Sequence, residues 1–130
     1  MSSAVISLKE TDTLRNAEFE MNVAEIRHIP VVDQRNHVVG IVSQRDVLRA
    51  VGKAAPGTPL PVAEVMSRNV ETVRPTMPAY EAAAMMMERK IGCLPVVGED
   101  EQLIGIITET DFLHVAEQAL RGTGFSRSDD

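Results

Sequence analysis

The stretch IPVVDQRNHVVGIVSQRDVL, residues 29–48, returns later in the chain as LPVVGEDEQLIGIITETDFL, residues 94–113. Each copy has an apolar run with proline at its second position, a polar turn, a second apolar run around a glycine, and a hydroxyl residue three positions before an Asp. Aligned residues are always 65 positions apart. They include Pro30 with Pro95, Gly40 with Gly105, Asp46 with Asp111, Val5 with Val70, Ala17 with Ala82 and Met21 with Met86. The chain is therefore a tandem repeat of two units.

Within each unit the pattern predicts the order β-α-β-β-α. Short apolar pieces at 5–8 and 70–73 predict entry strands, and turn-forming residues follow each of them. Apolar residues at three- and four-residue spacing then predict a helix with a buried stripe. The stripes comprise Leu14, Ala17, Met21 and Ala24 in the first unit and Ala79, Ala82, Ala83, Met86 and Met87 in the second. The two apolar runs that follow predict a hairpin, and the hydroxyl residue after it marks the start of a second helix.

The predicted fold class is α/β, with the two repeats related by a pseudo-twofold axis. Two copies are too few for a solenoid, so each half is expected to bury its apolar face against the other and enclose one core. The predicted boundaries are 1–55 for the first repeat, 56–65 for a linker rich in Pro and Gly, 66–122 for the second repeat and 123–130 for a flexible C-terminal tail.

Composition narrows the class of protein. A chain of 130 residues with 44% hydrophobic residues can bury a core without covalent cross-links. The net charge of −6, the pI of 5.0 and the low aromatic content of 3% argue against nucleic-acid binding. No apolar run is long enough to cross a membrane. With one cysteine and no signal peptide visible at its start, the chain is expected to reside in the cytoplasm.

The tetrads Ser43-Gln44-Arg45-Asp46 and Thr108-Glu109-Thr110-Asp111 allow two interpretations of equal weight. In the structural one, the hydroxyl caps the helix that follows and the acid lies favourably in its first turn. In the functional one, the helix N-terminus and the hydroxyl bind a phosphate, while the carboxylate accepts from two hydroxyls of a sugar. The repetition of the tetrad after matching strands favours a function.

The tandem arrangement of h-P-V-V, a polar turn, h-h-G-h-h and S/T-x-x-D-h-L, where h is an apolar residue, resembles a pair of CBS domains, the modules named after cystathionine β-synthase. The resemblance covers about residues 5–120. It implies a regulatory module, not an enzyme, that needs no cofactor and binds AMP, ADP, ATP or S-adenosylmethionine in clefts between the repeats. It also implies a homodimer formed through the helices, and a regulated protein is a further expected partner.

The resemblance also implies roles for individual residues. Asp46 and Asp111 would hold the ribose hydroxyls, and Ser43 and Thr108 would meet the phosphate. Arg45 adds a cation beside the first tetrad where the second has Thr110, so the two clefts are expected to be unequal. The adenine pocket would comprise Ser7, His28, Ile29 and Pro30 in the first repeat and Thr72, Cys93, Leu94 and Pro95 in the second.

Alternative functions have weaker support. The three histidines lack partners at metal-ligand spacing, so no metal site is expected. Cys93 lacks a base that could activate it, and the sequence contains no other recognisable set of catalytic residues. The main alternative is a module that binds no ligand and serves in dimerisation or docking of a partner, with the tetrads acting only as helix caps. DNA binding is a third interpretation, disfavoured by the acidic charge.

Overall fold

The computed structural model describes residues 5–53, 55 and 57–124. Most of the predicted tail, residues 125–130, lies outside the described residues. The elements are β1 (Leu8–Lys9), α1 (Leu14–Ala24), β2 (His28–Val32), β3 (Val38–Ser43), α2 (Gln44–Val51), a 3-10 turn (Val62–Glu64), α3 (Ala79–Arg89), β4 (Cys93–Val97), β5 (Leu103–Thr108) and α4 (Glu109–Ala119). This order confirms two mixed α/β repeats of the same design.

The entry strands are shorter than the sequence predicts. Of 5–8, only Leu8 is in a strand, which continues to Lys9 and pairs in parallel with β2. Of 70–73, only Val73 pairs, through a parallel bridge to Val96 of β4. The reason in the second repeat is that the chain just before this point is already paired elsewhere. Ser67 exchanges backbone hydrogen bonds of 2.9 and 3.0 Å with Ile41 of β3, so this segment adds to the hairpin of the first repeat.

The two hairpins have the same register and the same irregularities. The antiparallel pairs β2–β3 and β4–β5 each shift register at one place, between Val31 and Val32 and between Val96 and Val97. Pro95 lacks an N–H, but its carbonyl accepts a 3.0 Å hydrogen bond from the N–H of Val73. A proline is therefore compatible with this strand.

The repeats share a backbone feature that the sequence pattern does not reveal. Helices α1 and α3 both end in a residue with left-handed conformation, Glu25 with φ 56° and Lys90 with φ 54°. The hairpin turns contain another such pair, Asn36 with φ 65° and Glu101 with φ 62°. Both pairs are 65 residues apart, so the internal symmetry extends to strained backbone positions.

The buried residues form two clusters, not the single core that was expected. The first surrounds Ala17, Ile29 and Val42, and the second surrounds Ala82 and Leu94. The prediction that Ala79 and Met87 lie on the buried stripe is wrong, because Ala79 is exposed and Met87 is 77% exposed. Met86 points into the second cluster, and the next residue of an α-helix is turned away by about 100°.

The repeats touch through the turn ends of their hairpins. The carbonyl of Asn36 accepts a 2.9 Å bond from the N–H of Leu103, and its side-chain amide donates a 3.1 Å bond to the carbonyl of Leu103. His37 and Gln102 form an antiparallel bridge at the same place. No helix in the described part of the chain has the length and apolarity to span a membrane.

We expect Glu25→Gly and Lys90→Gly each to raise the free energy of unfolding by about 0.5–1 kcal/mol, because glycine adopts the left-handed conformation without steric cost. Glu18→Gly, in the middle of α1, is the matched control and should lower it by about 1 kcal/mol. Urea denaturation monitored by circular dichroism measures all three. Equal losses in the three variants would contradict the prediction.

Candidate functional site at the strand-to-helix junctions

Both tetrads lie where a hairpin ends and a helix begins. Ser43 is the last residue of β3 and the N-cap of α2. Its N–H donates a 2.9 Å hydrogen bond to Oδ2 of Asp46, and its Oγ accepts a 3.1 Å bond from the N–H of Asp46. At the second junction the N–H of Thr108 donates a 2.8 Å bond to Oδ2 of Asp111. The capping interpretation of both tetrads is therefore correct as a description of local structure.

Capping does not use the whole carboxylate of Asp46. The bond from Ser43 engages Oδ2, and no described residue donates to Oδ1. An ionised carboxylate can accept at about four lone-pair sites, so most of its hydrogen-bonding capacity remains. The side chain of Asp46 is half-buried at the first turn of α2. The same aspartate can therefore cap the helix and accept from a ligand.

Each tetrad has a side chain from the neighbouring strand beside it. His28 lies directly opposite Ser43 in the β2–β3 pair, and Cys93 lies opposite Thr108 in the β4–β5 pair. Directly opposed residues in an antiparallel pair place their side chains on the same face. The structure thus brings His28 and Cys93 to the two hydroxyl residues, as the expected lining of the clefts requires.

His28 also lies at the boundary between the repeats. Its imidazole occupies the space beside Gly92, where a Cβ would lie 2.6 Å from Cε1 and 2.8 Å from Nε2. The same point is 3.1 Å from Oε1 of Glu109, the first residue of α4. Burial lowers the pKa of His28 below its usual value, the charges of Glu109 and Asp46 oppose that effect, and Arg27 adds to it. A histidine from the first repeat therefore faces a carboxylate from the second.

Cys93 differs from its counterpart in chemistry. Its side chain is buried, and burial raises the pKa of the thiol to about 12. A thiol with that pKa is neutral at physiological pH and is a poor nucleophile. The second junction therefore has no ionisable group where the first has His28.

A cavity of about 470 Å³ lies beside Asp46. Asp46 and Arg49 line it from one face of α2, and Lys53 lines it from the turn after that helix. Leu60, Glu64 and Val65 line it from the segment that precedes the second repeat. Among the described residues, neither cation has a hydrogen bond or ion pair. Arg49 lies three residues after Asp46 on the same face of α2, and Lys53 lies two residues beyond the end of that helix. Both are outside the tetrad motif and were not among the predicted site residues.

The remaining predicted site residues are dispersed. Ser7 lines a different cavity of about 690 Å³, together with Lys9, Asp12 and Asp33. Thr72 is exposed ahead of the Val73 bridge, and Arg45 and Thr110 are exposed in the first turns of their helices. Four predicted adenine contacts have side chains that are fully buried in the hairpins: Ile29, Pro30, Leu94 and Pro95. A ligand would reach their backbone more readily than their side chains. In the described part of the chain, no group of three His, Cys, Asp or Glu side chains could hold a metal ion.

The comparison with protein families gives one match to this chain. The CBS domain model matches residues 1–53 and 62–118, which together make up most of the sequence. The two matched regions correspond to the two repeats described above.

Solved structures show the same architecture. A protein from Vibrio cholerae named for acetoin utilization, AcuB, is 40% identical, with a TM-score of 0.84 over 93% of this chain and 89% of that one. The CBS domain pair of protein MJ0100, in complex with 5'-methylthioadenosine and S-adenosyl-L-methionine, is 25% identical, with a TM-score of 0.81 over 92% of this chain and 93% of that one. CBSX2 in complex with AMP is 26% identical, with a TM-score of 0.74 over 88% of this chain and 89% of that one.

Curated relatives include much longer proteins. Homoserine O-acetyltransferase of Methanohalobium evestigatum is 30% identical over 118 residues, which are 91% of this chain but 23% of that protein. The chain thus spans less than a quarter of the length of this relative.

The capping bonds generate a stability prediction. Ser43→Ala and Thr108→Ala should each lower the free energy of unfolding by about 0.5–2 kcal/mol, because a backbone N–H in the first helical turn loses its acceptor. Thr110→Ala, in the exposed first turn of α4, is the matched control and should change it by less than about 0.5 kcal/mol. Chemical denaturation compares the three variants. If Ser43→Ala were as stable as the control, the reciprocal bonds would not contribute to folding.

Proposed function

This chain belongs to the CBS domain family, and we propose that it is a regulatory module that binds an adenosine-containing ligand without consuming it. The candidate ligands are AMP, ADP, ATP and S-adenosylmethionine. The observation that carries the proposal is the repeated strand-to-helix junction, in which a hydroxyl, a helix N-terminus and a half-buried carboxylate are held together. Structural neighbours that bind AMP, 5'-methylthioadenosine and S-adenosylmethionine support it.

The first junction provides a group for each part of such a ligand. Oδ1 of Asp46 would accept from a ribose hydroxyl, since Oδ2 is held by the cap. Ser43 and the backbone of the first turn would bind a phosphate oxygen, as helix N-termini commonly do. Arg49 and Lys53 would contribute charge-assisted hydrogen bonds from the adjoining cavity. That cavity of about 470 Å³ falls in the usual size range of small-molecule sites.

The second junction would bind its ligand differently. Thr108 and Asp111 repeat the hydroxyl and the carboxylate, but Cys93 is neutral and Glu109 adds a negative charge to the first turn. The cations Arg49 and Lys53 of the first junction correspond to His114 and Gln118, so an anionic phosphate would meet fewer fixed positive charges here than at the first junction. The proposal places the stronger phosphate site at the first junction and keeps Ser7, Thr72 and the backbone near Leu94 as candidates for contact with the base.

We assign the chain to regulation and not to catalysis. In homoserine O-acetyltransferase, the matching part is a minor fraction of the protein, consistent with an accessory module in a larger enzyme. The thiol of Cys93 is buried and neutral, so it would not serve as a nucleophile. The regulated partner would be another cytoplasmic protein whose activity follows the level of the ligand.

A second function has one observation in its favour. Asp46 and the residues around it already form a complete helix cap, so the tetrads would have a structural role in the absence of any ligand. A module that only dimerises or docks a partner would need nothing more from them. The variants below separate the two functions because capping and ribose binding make different demands on the aspartate.

In calorimetry, we expect at least one of AMP, ADP, ATP and S-adenosylmethionine to bind. Asp46→Asn or Asp111→Asn should weaken binding by about tenfold to a hundredfold, because a hydrogen bond to a charged group contributes about 1.5–3 kcal/mol. Asparagine retains an oxygen that can accept the capping bond, so the stability of the free protein should change little. Asp46→Ala should reduce both stability and affinity.

Thermal unfolding provides the independent check. A ligand at about 100 times its dissociation constant adds about 2.7 kcal/mol and should raise the melting temperature by several degrees. Absence of both heat and a melting shift for all four ligands would refute the binding function and leave the docking module.

We also propose that two copies associate through their helices. Each of the four α-helices in the described part of the chain exposes large apolar side chains. Soluble monomers rarely expose large contiguous apolar patches, and such patches commonly mark an interface. These side chains are Phe19 and Val23 on α1, Leu48 and Val51 on α2, Tyr80 and Met87 on α3, and Leu113 and Val115 on α4. Leu48 and Leu113 occupy equivalent positions, so both repeats present the same kind of face. A second copy would offer the self-complementary surface that a twofold dimer requires.

Light scattering should therefore give twice the chain mass of 14.2 kDa at micromolar concentration. The double variant Met87→Glu/Leu113→Glu should shift the mass toward a single chain, because charged groups would enter the interface. Gln118→Glu, which also adds negative charge to α4, is the control and should remain dimeric. A wild-type mass of one chain would contradict the proposal.

A further inference from the structure

His28 is a half-buried histidine at the boundary between the two repeats. It starts β2, lies opposite Ser43, and places its imidazole against Gly92 of the other repeat. The imidazole forms no hydrogen bond with any described residue, although it is partly shielded from solvent. A side chain at position 92 would fill the gap between Nε2 of His28 and Oε1 of Glu109, and glycine leaves that gap open.

The charges that face this imidazole come from three elements. Glu109 at the start of α4 and Asp46 at the start of α2 are negative, and Arg27, in the bend just before β2, is positive and exposed. With a neutral imidazole, the junction therefore contains two carboxylates, one from each tetrad. With a protonated imidazole, a positive charge lies between them and beside the hydroxyl of Ser43.

The equivalent place in the second repeat lacks this chemistry. Cys93 is the counterpart of His28, Gly92 is the counterpart of Arg27, and Gln44 is the counterpart of Glu109. All three exchanges alter charge or the capacity to titrate, whereas the backbone around them is the same in both repeats. The internal symmetry is thus broken in charge at the point where the two junctions meet.

We propose that His28 sets the charge of the ligand that the junction accepts. Its protonated form would admit a phosphate-bearing adenosine ligand, and its neutral form would favour a ligand with a positive sulfonium. This inference rests on the proposed function and adds to it a residue that determines specificity. Protonation of His28 would thereby link ligand choice to pH.

The direction of the linkage follows from the electrostatics. Burial lowers the pKa of His28 in the free protein, so the imidazole is neutral near pH 7. A phosphate beside it favours the imidazolium and raises that pKa, so binding takes up a proton between the two pKa values. Affinity for a phosphate ligand must then rise as pH falls. A sulfonium disfavours the imidazolium, so affinity for S-adenosylmethionine must fall over the same interval.

The test is calorimetry with AMP, adenosine and S-adenosylmethionine from pH 7.5 to pH 6.0. Lowering the pH should increase the affinity for AMP, and this gain should be at least about threefold larger in the wild type than in His28→Gln. One linked proton changes the affinity by up to tenfold per pH unit. Adenosine has the same base and ribose without the phosphate, so its affinity should not change. S-adenosylmethionine should bind more weakly at the lower pH.

Two variants control the measurement. His28→Gln keeps a neutral polar side chain, and it retains any pH effect from the phosphate of AMP itself, which titrates near pH 6. His114→Gln removes an exposed histidine of α4 and should behave as the wild type. If AMP or S-adenosylmethionine binds with the same pH dependence in His28→Gln as in the wild type, the inference is wrong but the proposed function stands. If adenosine gains as much as AMP, the inference is also wrong. If none of the three ligands binds at any pH, the inference falls together with ligand binding.

Discussion

The reciprocal hydrogen bonds between Ser43 and Asp46 determine where β3 stops and α2 begins. Because side chains alternate along a strand, a shift of this point by one residue would turn Ser43 to the other face and remove it from His28. It would also rotate the face of α2 that carries Asp46 and Arg49 by about 100°. The position of the cap thus fixes which residues can meet at the junction.

Under the proposed function, the aspartate would have two roles that compete for its oxygens. A cap requires one acceptor directed at the preceding N–H, and a ribose requires at least one more directed outward. Asp46 meets both requirements because its capping bond occupies only Oδ2. A capping box itself uses an acidic residue three positions after the hydroxyl, so the cap alone accounts for Ser43 and Asp46 as a pair. The proposed function would add a second use of the same carboxylate through Oδ1.

The fold could be predicted from the sequence because the signals that specify it are local and occur twice. Apolar periodicity placed Ala17, Met21, Ala82 and Met86 correctly in the core. The prediction failed where contacts between the repeats determine which residues join a strand. Val70 and Thr72 do not join a strand, because the chain before Val73 pairs through Ser67 with β3 of the other repeat. The left-handed Glu25 and Lys90 could not be foreseen, since neither is a glycine.

The candidate site was predicted only in part, for a related physical reason. Residues within one tetrad and its hairpin, such as Ser43 with Asp46 and Cys93 with Thr108, were brought together as expected. Arg49 and Lys53 were missed because a helix face must be traced beyond the motif to include them. The role of Gly92 could not be predicted, because it leaves room for the imidazole of His28, which is distant in sequence. The residues next to Gly92 in the sequence do not indicate this contact.

Duplication of a module creates two equivalent places for every residue, and function can then diverge without a change of backbone. Here the hairpin register, the bulges and the left-handed residues have kept their equivalence at an offset of 65 positions. At the strand-to-helix junctions the repeats differ in charge, because Arg27, His28 and Gln44 of the first repeat correspond to Gly92, Cys93 and Glu109 of the second. A symmetric pair of sites would respond to one ligand in one way. Because Glu109 of the second junction and Asp46 of the first both act electrostatically on His28, a change of charge at one junction would also be felt at the other.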